Sequence, residues 1–284
     1  MKKMLPIRGN SQKLDGGAMF GHVPKAVWSK WSPPDEKNRI DLACRALLIQ
    51  EENRLILLET GIGAFFAPGL RERYGVTESE HVLLESLQKV GVQHTDIDAV
   101  IISHLHFDHA GGLLTQWEEN KEPALLFPRA RYFVSKAAWE RAQHPHLRDR
   151  ASFVPPLNQL LANSNRLEVL ESDYHAWLGR DYAFRLSHGH TPGLLHTVVK
   201  SPGQETMIFA SDLIPGSAWV HLPVGMGYDR YPELLSDEKQ KMLDFAIEEN
   251  ARLFYTHDPK VVSSRVMKDD SGKYTATNLQ LVAS

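Results

Sequence analysis

Three histidines and one aspartate lie within six consecutive positions of this chain. The segment from Ser103 to Gly112 reads Ser-His-Leu-His-Phe-Asp-His-Ala-Gly-Gly and directly follows the apolar run 99–102. Imidazole and carboxylate groups suit zinc and related divalent metals, and ligands at alternate positions converge only where the chain leaves regular structure. We therefore predict a metal site at the end of a strand. Its candidate ligands are His104, His106, Asp108 and His109.

Three more candidate ligands, His190, Asp212 and His257, each follow a short apolar run later in the chain. Alone, such a histidine is usually an ordinary polar residue, and such an aspartate usually forms a turn. Their repeated position after strands predicts that they join the same site. The glycines around His190 let the backbone approach a metal, which favours it over the nearby His188.

The composition predicts a water-soluble protein with a substantial core. Of its 284 residues, 42% are hydrophobic and 24% are charged, and no run of about eighteen apolar residues is long enough to span a membrane. The start, Met-Lys-Lys-Met-Leu-Pro-Ile-Arg, lacks the apolar region of a secretion signal. We therefore expect a cytoplasmic protein that does not bind membranes.

The charge pattern argues against nucleic acid as a partner. The net charge is −3, and Lys and Arg are scattered without a basic block. The single cysteine, Cys44, has no partner for an internal disulfide and no second cysteine at zinc-finger spacing. We interpret it as a small buried hydrophobic residue.

Short apolar runs alternate with helical patterns along the chain. Thr77 and Glu80 resemble a capping box for a helix that ends at Gly91, and a second helix is predicted over 236–249. The buried side of the second helix is expected to hold Met242, Leu243, Phe245, Ala246 and Ile247. Loops are expected at 31–36, 122–128 and 154–156. Strands are expected at 43–49, 55–58, 99–102, 132–134, 183–186, 196–199, 207–210 and 253–255.

The two helices lie in matching contexts, because each precedes a short strand that ends in a histidine, His104 or His257. This pattern indicates a weak internal duplication. Two such halves packed face to face would form four layers, with helices outside, two sheets inside and ligands from both halves at one edge. No linker divides the chain, so we predict one domain over 1–284, whose N-terminal extension, 1–39, lines a pocket or a dimer interface.

These residues resemble the metallo-β-lactamase superfamily, whose signature is the run His-x-His-x-Asp-His followed by a distant His, Asp and His. The resemblance implies a four-layer αββα sandwich and two metal ions. One ion would be held by His104, His106 and His190, and the other by Asp108, His109 and His257, with Asp212 bridging both. Zinc is the expected metal, and manganese, cobalt and iron suit similar ligands.

Two further stretches are similar to the branch that contains N-acyl-homoserine lactonases, which quench quorum sensing, and methyl-parathion-type hydrolases. They are Leu-Asp-Gly-Gly-Ala-Met-Phe-Gly at 14–21 and Met-Gly-Tyr-Asp at 226–229. The resemblance favours lactone hydrolysis. Two positions depart from the pattern: Pro215 stands where many of these lactonases carry tyrosine, and Glu59 stands where the superfamily usually has aspartate.

The expected mechanism follows from two adjacent divalent ions, which lower the pKa of a shared water enough to supply hydroxide near neutral pH. Hydroxide would attack the lactone carbonyl, and no Ser or Cys nucleophile is required. Asp108 is a candidate proton carrier to the leaving oxygen. Because Pro215 replaces the usual tyrosine, Tyr228 and His221 are the candidates for assisting the oxyanion, with ordinary packing as the alternative for both.

An apolar groove for the acyl chain is expected at Met19, Phe20 and Phe107, although such side chains more often form core. The alternatives are an organophosphate triesterase or a glyoxalase-like thioesterase with the same site, and a non-catalytic metal-dependent sensor. A nucleic-acid phosphodiester and a β-lactam are less favoured, since a basic face and an export signal are missing. The expected partners are a small lactone or ester and a second copy in a homodimer.

Overall fold

The computed structural model describes residues 2–282, with strands and helices that alternate along the chain. The strands are β1 (Lys3–Ile7), β2 (Gln12–Asp15), β3 (Arg39–Leu42), β4 (Ala46–Gln50), β5 (Leu55–Leu58), β6 (Ala99–Ile101), β7 (Arg131–Ser135), β8 (Leu167–Leu170), β9 (Tyr182–Ser187), β10 (Leu194–Val199), β11 (Met207–Phe209), β12 (Arg252–Phe254), β13 (Val261–Lys268) and β14 (Tyr274–Leu281). The α-helices are α1 (Gly16–Phe20), α2 (Lys25–Trp28), α3 (Pro68–Arg73), α4 (Val82–Lys89), α5 (Phe107–Ala110), α6 (Lys136–Gln143), α7 (Pro155–Asn163) and α8 (Pro232–Glu248). Short 3₁₀ helices cover His94–Asp96, Gly111–Leu113, Arg150–Ser152, Ser211–Leu213 and Ser217–Val220.

The first compact unit comprises the described residues up to Gln12 together with Ala43–Glu171. Its six-stranded sheet has the order β1-β4-β5-β6-β7-β8, antiparallel up to β5 and parallel from β5 to β8. Every residue of the central strand β6 is buried, as expected for a parallel strand that is covered on both faces. The ligand run therefore starts from a rigid, buried strand end.

Helix α4 begins later than the predicted capping box. Its N-cap is His81, which makes no side-chain cap, and the Val82 N–H instead donates to Oδ1 of Asn10 at 3.1 Å. A residue far away in the sequence therefore satisfies the first turn, so the capping-box prediction at Thr77 and Glu80 is wrong. Lys89 ends the helix, and Gly91 follows with a left-handed φ of 78°, which confirms the predicted stop.

The second compact unit comprises Lys13–Leu42 and the described residues from Ser172 onward. Its six-stranded sheet has the order β14-β13-β12-β11-β10-β9 and is antiparallel except between β11 and β12. Strands β2 and β3 form a separate two-stranded sheet. Most of the N-terminal extension is therefore part of this unit.

Helix α8 covers one side of the second core and starts four residues before the predicted Ser236, because Pro232 is favourable in a first helical turn. Met242, Leu243 and Ala246 are buried as predicted, and Phe245 packs against the core at its edge. Ile247 is 37% exposed, which makes its predicted burial wrong. Ile247 directly follows the buried Ala246, and each residue turns a helix by about 100°. The Ile247 side chain therefore lies to one side of the buried face.

The loop predicted at 154–156 is partly wrong as well, because α7 begins at Pro155 with two prolines in its first turn. Cys44 is buried beside Ile62 and Val76, as predicted. Within residues 2–282, no helix combines the length and apolar character needed to cross a bilayer.

Candidate functional site

The ligand run of the first unit leaves β6 and forms a short loop followed by α5. Nε2 of His104 lies 2.9 Å from Nδ1 of His106, an arrangement that fits two ligands of one metal ion. Nε2 of His109 lies 3.7 Å from Oδ2 of Asp108. The three histidines are buried, while Asp108 remains partly exposed. The run thus presents two pairs of donor groups.

The Nδ1 atoms of His104 and His109 face a hydrogen-bond network centred on the Glu59 carboxylate. Nδ1 of His109 donates to Oε2 of Glu59 at 2.9 Å, and Nδ1 of His104 lies 2.9 Å from Oγ of Ser103, which also hydrogen-bonds to Glu59. A proton held at Nδ1 leaves the Nε2 lone pair available to a metal. Ser103 was not singled out in the sequence, where its only signal is its position directly before His104.

In the second unit, Asp212 is the centre of the ligand set. Its Oδ2 lies 3.1 Å from Nε2 of His190, and its Oδ1 lies 3.1 Å from Nε2 of His257. All three residues are buried. The Asp212 carboxylate thus offers a separate donor oxygen beside each of the two histidines.

Asp229 fixes the orientation of His190. Its Oδ1 accepts from Nδ1 of His190 at 2.9 Å, and its Oδ2 accepts from the Met226 N–H at 2.6 Å. Sequence reasoning used Asp229 only as part of a motif and missed this role. Carboxylates that hold the second nitrogen of a ligand histidine keep its tautomer and increase its basicity.

The turn before His190 packs tightly against α8. The backbone N–H groups of His188 and Gly189 both donate to the Glu238 carboxylate at 2.8 Å. A Cβ at Gly189 would lie 2.4 Å from the Leu235 backbone, so only glycine fits this approach. His188 is exposed, whereas Nε2 of His190 lies 3.1 Å from Oδ2 of Asp212. The choice of His190 over His188 as a metal ligand stays a prediction.

The sequence pattern of the metallo-beta-lactamase superfamily matches residues 39–257, which is more than half of the chain. The chain belongs to the metallo-beta-lactamase superfamily. Its mixed α/β fold and its class, a superfamily hydrolase, are thereby confirmed.

Relatives within this superfamily include several lactonases. An N-acyl homoserine lactonase from a Bacillus species is 25% identical over 234 residues, which cover 77% of this chain and 82% of the relative. A probable metal-dependent hydrolase from Staphylococcus aureus has a TM-score of 0.85 and 26% identity, covering 99% of this chain and 98% of that one. AidC, a dizinc quorum-quenching lactonase solved with a product, has a TM-score of 0.73 at 23% identity, covering 98% and 95% of the two chains.

Two of the predicted pocket residues lie in the core of this metallo-beta-lactamase fold. Phe20 is 0% exposed and stacks between Trp28 at 5.6 Å and Trp219 at 4.4 Å, and Met19 is buried beside it. The groove prediction therefore needs correction for Met19 and Phe20, since neither side chain reaches a surface. Phe107 is only partly buried and lines a cavity.

That cavity lies in the first unit, has a volume of about 530 Å³ and is lined mainly by apolar atoms. The Phe153 ring meets the His106 ring edge-on at 5.0 Å, and Phe107 directly precedes Asp108, so the cavity wall adjoins two candidate ligands. Its aromatic residues are Phe65, Phe66, Tyr74, Phe107, Trp117 and Phe153.

The two candidates for assisting the oxyanion lie in the second unit. The Tyr228 side chain is 42% exposed in the segment that also carries Asp229. The His221 ring packs against Trp31 with ring centres 5.5 Å apart. Burial lowers the pKa of His221, and the nearby Lys273 lowers it further, which favours the neutral imidazole. Their catalytic roles stay predictions.

Protonation of His190 gives a testable expectation for metal binding. Burial alone would lower its pKa, but the carboxylates of Asp212 and Asp229 raise the pKa to about 9. In metal-free protein at about pH 7 the ring is charged, and a metal must displace its proton. We expect zinc binding to release about one more proton per chain at pH 7 than at about pH 10. Calorimetry in buffers of different ionisation enthalpy measures this, and a pH-independent release would contradict it.

Proposed function

We propose that this protein is a dinuclear-metal lactonase that opens N-acyl-homoserine lactones. The observation that carries the proposal is the carboxylate of Asp212, whose two oxygens each face one histidine at 3.1 Å. Relatives named N-acyl homoserine lactonase support the choice of substrate.

We assign His104, His106 and His190 to one ion and Asp108, His109 and His257 to the other, with Asp212 bridging. The donor groups within each unit support this assignment. In the first unit a nitrogen of His104 lies near one of His106, and His109 lies near Asp108. In the second unit Asp212 lies near both His190 and His257. Zinc is the preferred ion for such nitrogen-rich, partly carboxylate sets.

When bound, the two ions supply an activated water and polarise the lactone carbonyl. The protein's own residues supply orientation and proton transfer. Asp108 is the most exposed of the seven ligands and lies beside His109, so we assign to it the transfer of a proton to the leaving ring oxygen. Tyr228 is the proposed hydrogen-bond donor to the carbonyl oxygen, since it is exposed and lies one residue before Asp229; His221 is the alternative.

The aromatic cavity is the proposed site for the acyl chain. We expect Phe66→Ala to raise KM about tenfold for a long-chain lactone, because it removes roughly 1.5 kcal/mol of apolar contact. KM for a short-chain lactone should hardly change. Steady-state kinetics with both substrates measure the difference, and Leu147→Ala, at a site that is 77% exposed, is the control. Equal changes in KM for both chain lengths would refute this placement.

A substrate panel tests the proposed reaction. Zinc-loaded protein is assayed on N-acyl-homoserine lactones, a paraoxon-type phosphotriester and a glyoxalase-type thioester under the same conditions. We expect the lactones to give the highest kcat/KM. Negligible lactone turnover would overturn the proposal, and a preference for triester or thioester would identify the corresponding alternative. Metal binding without turnover of any substrate would favour a sensor.

A cytoplasmic location, quorum quenching and a homodimer are further parts of this proposal. Cell fractionation, signal-molecule decay in culture and sedimentation of the purified protein test them separately.

A further inference from the structure

Glu59 is a buried carboxylate that the proposed metal ligand set does not include. It is 1% exposed and follows β5 with a left-handed φ of 60°. Non-glycine residues adopt this conformation rarely, and surrounding contacts must hold it in place. Here the Glu59 N–H donates to the Ile101 carbonyl at 2.8 Å, and the Thr60 N–H donates to the His109 carbonyl at 3.0 Å.

The two oxygens of Glu59 serve two different ligand histidines. Oε2 accepts directly from Nδ1 of His109 at 2.9 Å. Oε1 accepts from the hydroxyl of Ser103, whose oxygen lies 2.9 Å from Nδ1 of His104. The serine thus extends the reach of the same carboxylate to the second ring.

The hydrogens of this network can be assigned from its donors and acceptors. A serine hydroxyl has one proton, and Glu59 has only acceptors when ionised. If Ser103 donates to Glu59, its oxygen must accept from Nδ1–H of His104. Both His104 and His109 then carry their proton on Nδ1 and direct the Nε2 lone pair away from Glu59.

We propose that Glu59 is a shared positioning residue that couples the two metal positions, directly through His109 and through Ser103 to His104. The inference rests on the proposed dinuclear site, in which these histidines bind different ions. Loss of the carboxylate should therefore weaken both positions, whereas loss of the serine hydroxyl should weaken one.

The backbone around Glu59 makes this arrangement rigid. A Cβ on Gly112 would lie 2.2 Å from the Thr60 carbonyl oxygen, so the segment after Glu59 packs directly on the segment after His109. This contact fixes the backbone position from which the Glu59 side chain reaches the two histidines. We expect a shortened side chain, as in Glu59→Asp, to satisfy at most one of the two histidines.

The test measures zinc binding to metal-free protein, without any lactone. Wild type, Glu59→Gln, Ser103→Ala and the control Glu52→Gln, on an exposed turn, are titrated against a competing chelator. Anomalous diffraction from crystals with partial zinc loading identifies each position. We expect Glu59→Gln to weaken both positions about ten- to a hundredfold, because the amide removes the negative charge that faces both networks and keeps only one acceptor oxygen. Ser103→Ala should weaken only the position of His104. Melting of the metal-free proteins checks that each variant folds.

Several results would overturn the coupling. In the first, Glu59→Gln weakens zinc binding only at the position of His109. In the second, Glu59→Gln binds zinc like wild type. In the third, Glu59→Gln loses one zinc ion completely while the other position keeps full affinity, which would make Glu59 itself a ligand. If a variant does not fold, Glu59→Asp replaces it, with weakening of at least one position expected and wild-type binding contradictory. If wild type binds two zinc ions and the variants show the expected losses of affinity, the coupling is supported even when wild type opens no lactone. That result overturns only the lactonase proposal.

Discussion

Replacing Asp212 with alanine should lower bound zinc from about two ions per chain to one or fewer. The variant should also lose at least about a hundredfold in lactone kcat/KM. Each oxygen of Asp212 lies 3.1 Å from a histidine nitrogen, so its removal deletes a donor from both proposed ions at once. It also removes one of the two carboxylates that His190 faces and the carboxylate that lies 3.1 Å from His257. Metal analysis after exhaustive dialysis gives the stoichiometry.

Asp237→Ala is the matched control, because Asp237 is an exposed aspartate on α8 of the same unit. It should keep wild-type metal content and turnover. Unchanged zinc content in the Asp212 variant would remove this residue from the proposed bridge. A fall in zinc content that equals the fall in the control would indicate general loss of structure instead.

The second large effect is expected for Asp229→Asn, which should weaken zinc binding at the His190 position about ten- to a hundredfold. Asp229 accepts from both His190 and the Met226 backbone. An amide has only one acceptor oxygen, so its NH₂ group must face one of these two donors. Chelator competition measures the change in zinc affinity.

Asp270→Asn makes the same chemical change at an exposed turn and should leave zinc affinity unchanged. A variant that binds zinc as tightly as wild type would show that Asp229 does not position His190.

The candidate ligand positions could be singled out from the sequence because their signals are local. His104 to His109 are close in sequence, and His190, Asp212 and His257 each follow an apolar strand that periodicity reveals. The strand at 55–58 was predicted to the residue, and the ends of the other seven predicted strands lie within three residues of the observed ends. Such elements depend on their own side-chain pattern. The strands that were not predicted are β1, β2, β3, β8, β13 and β14.

Features set by distant contacts were not predictable. Asn10 supplies the cap of α4 from 72 positions away in the sequence, so the local capping-box signal was misleading. The role of Ser103 depends on the Glu59 side chain that the fold brings beside it, and the role of Glu238 on the backbone before His190. Phe20 and Phe107 have the same side chain, and only tertiary packing places one in the core and the other in a cavity wall.

A titration of metal-free protein with zinc, in which lactone ring opening is followed by proton release, tests the proposed dinuclear lactonase most directly. We expect no turnover without metal and a rise that reaches its plateau at about two equivalents per chain. Turnover by the metal-free protein, or a plateau at one equivalent, would contradict a dinuclear lactonase.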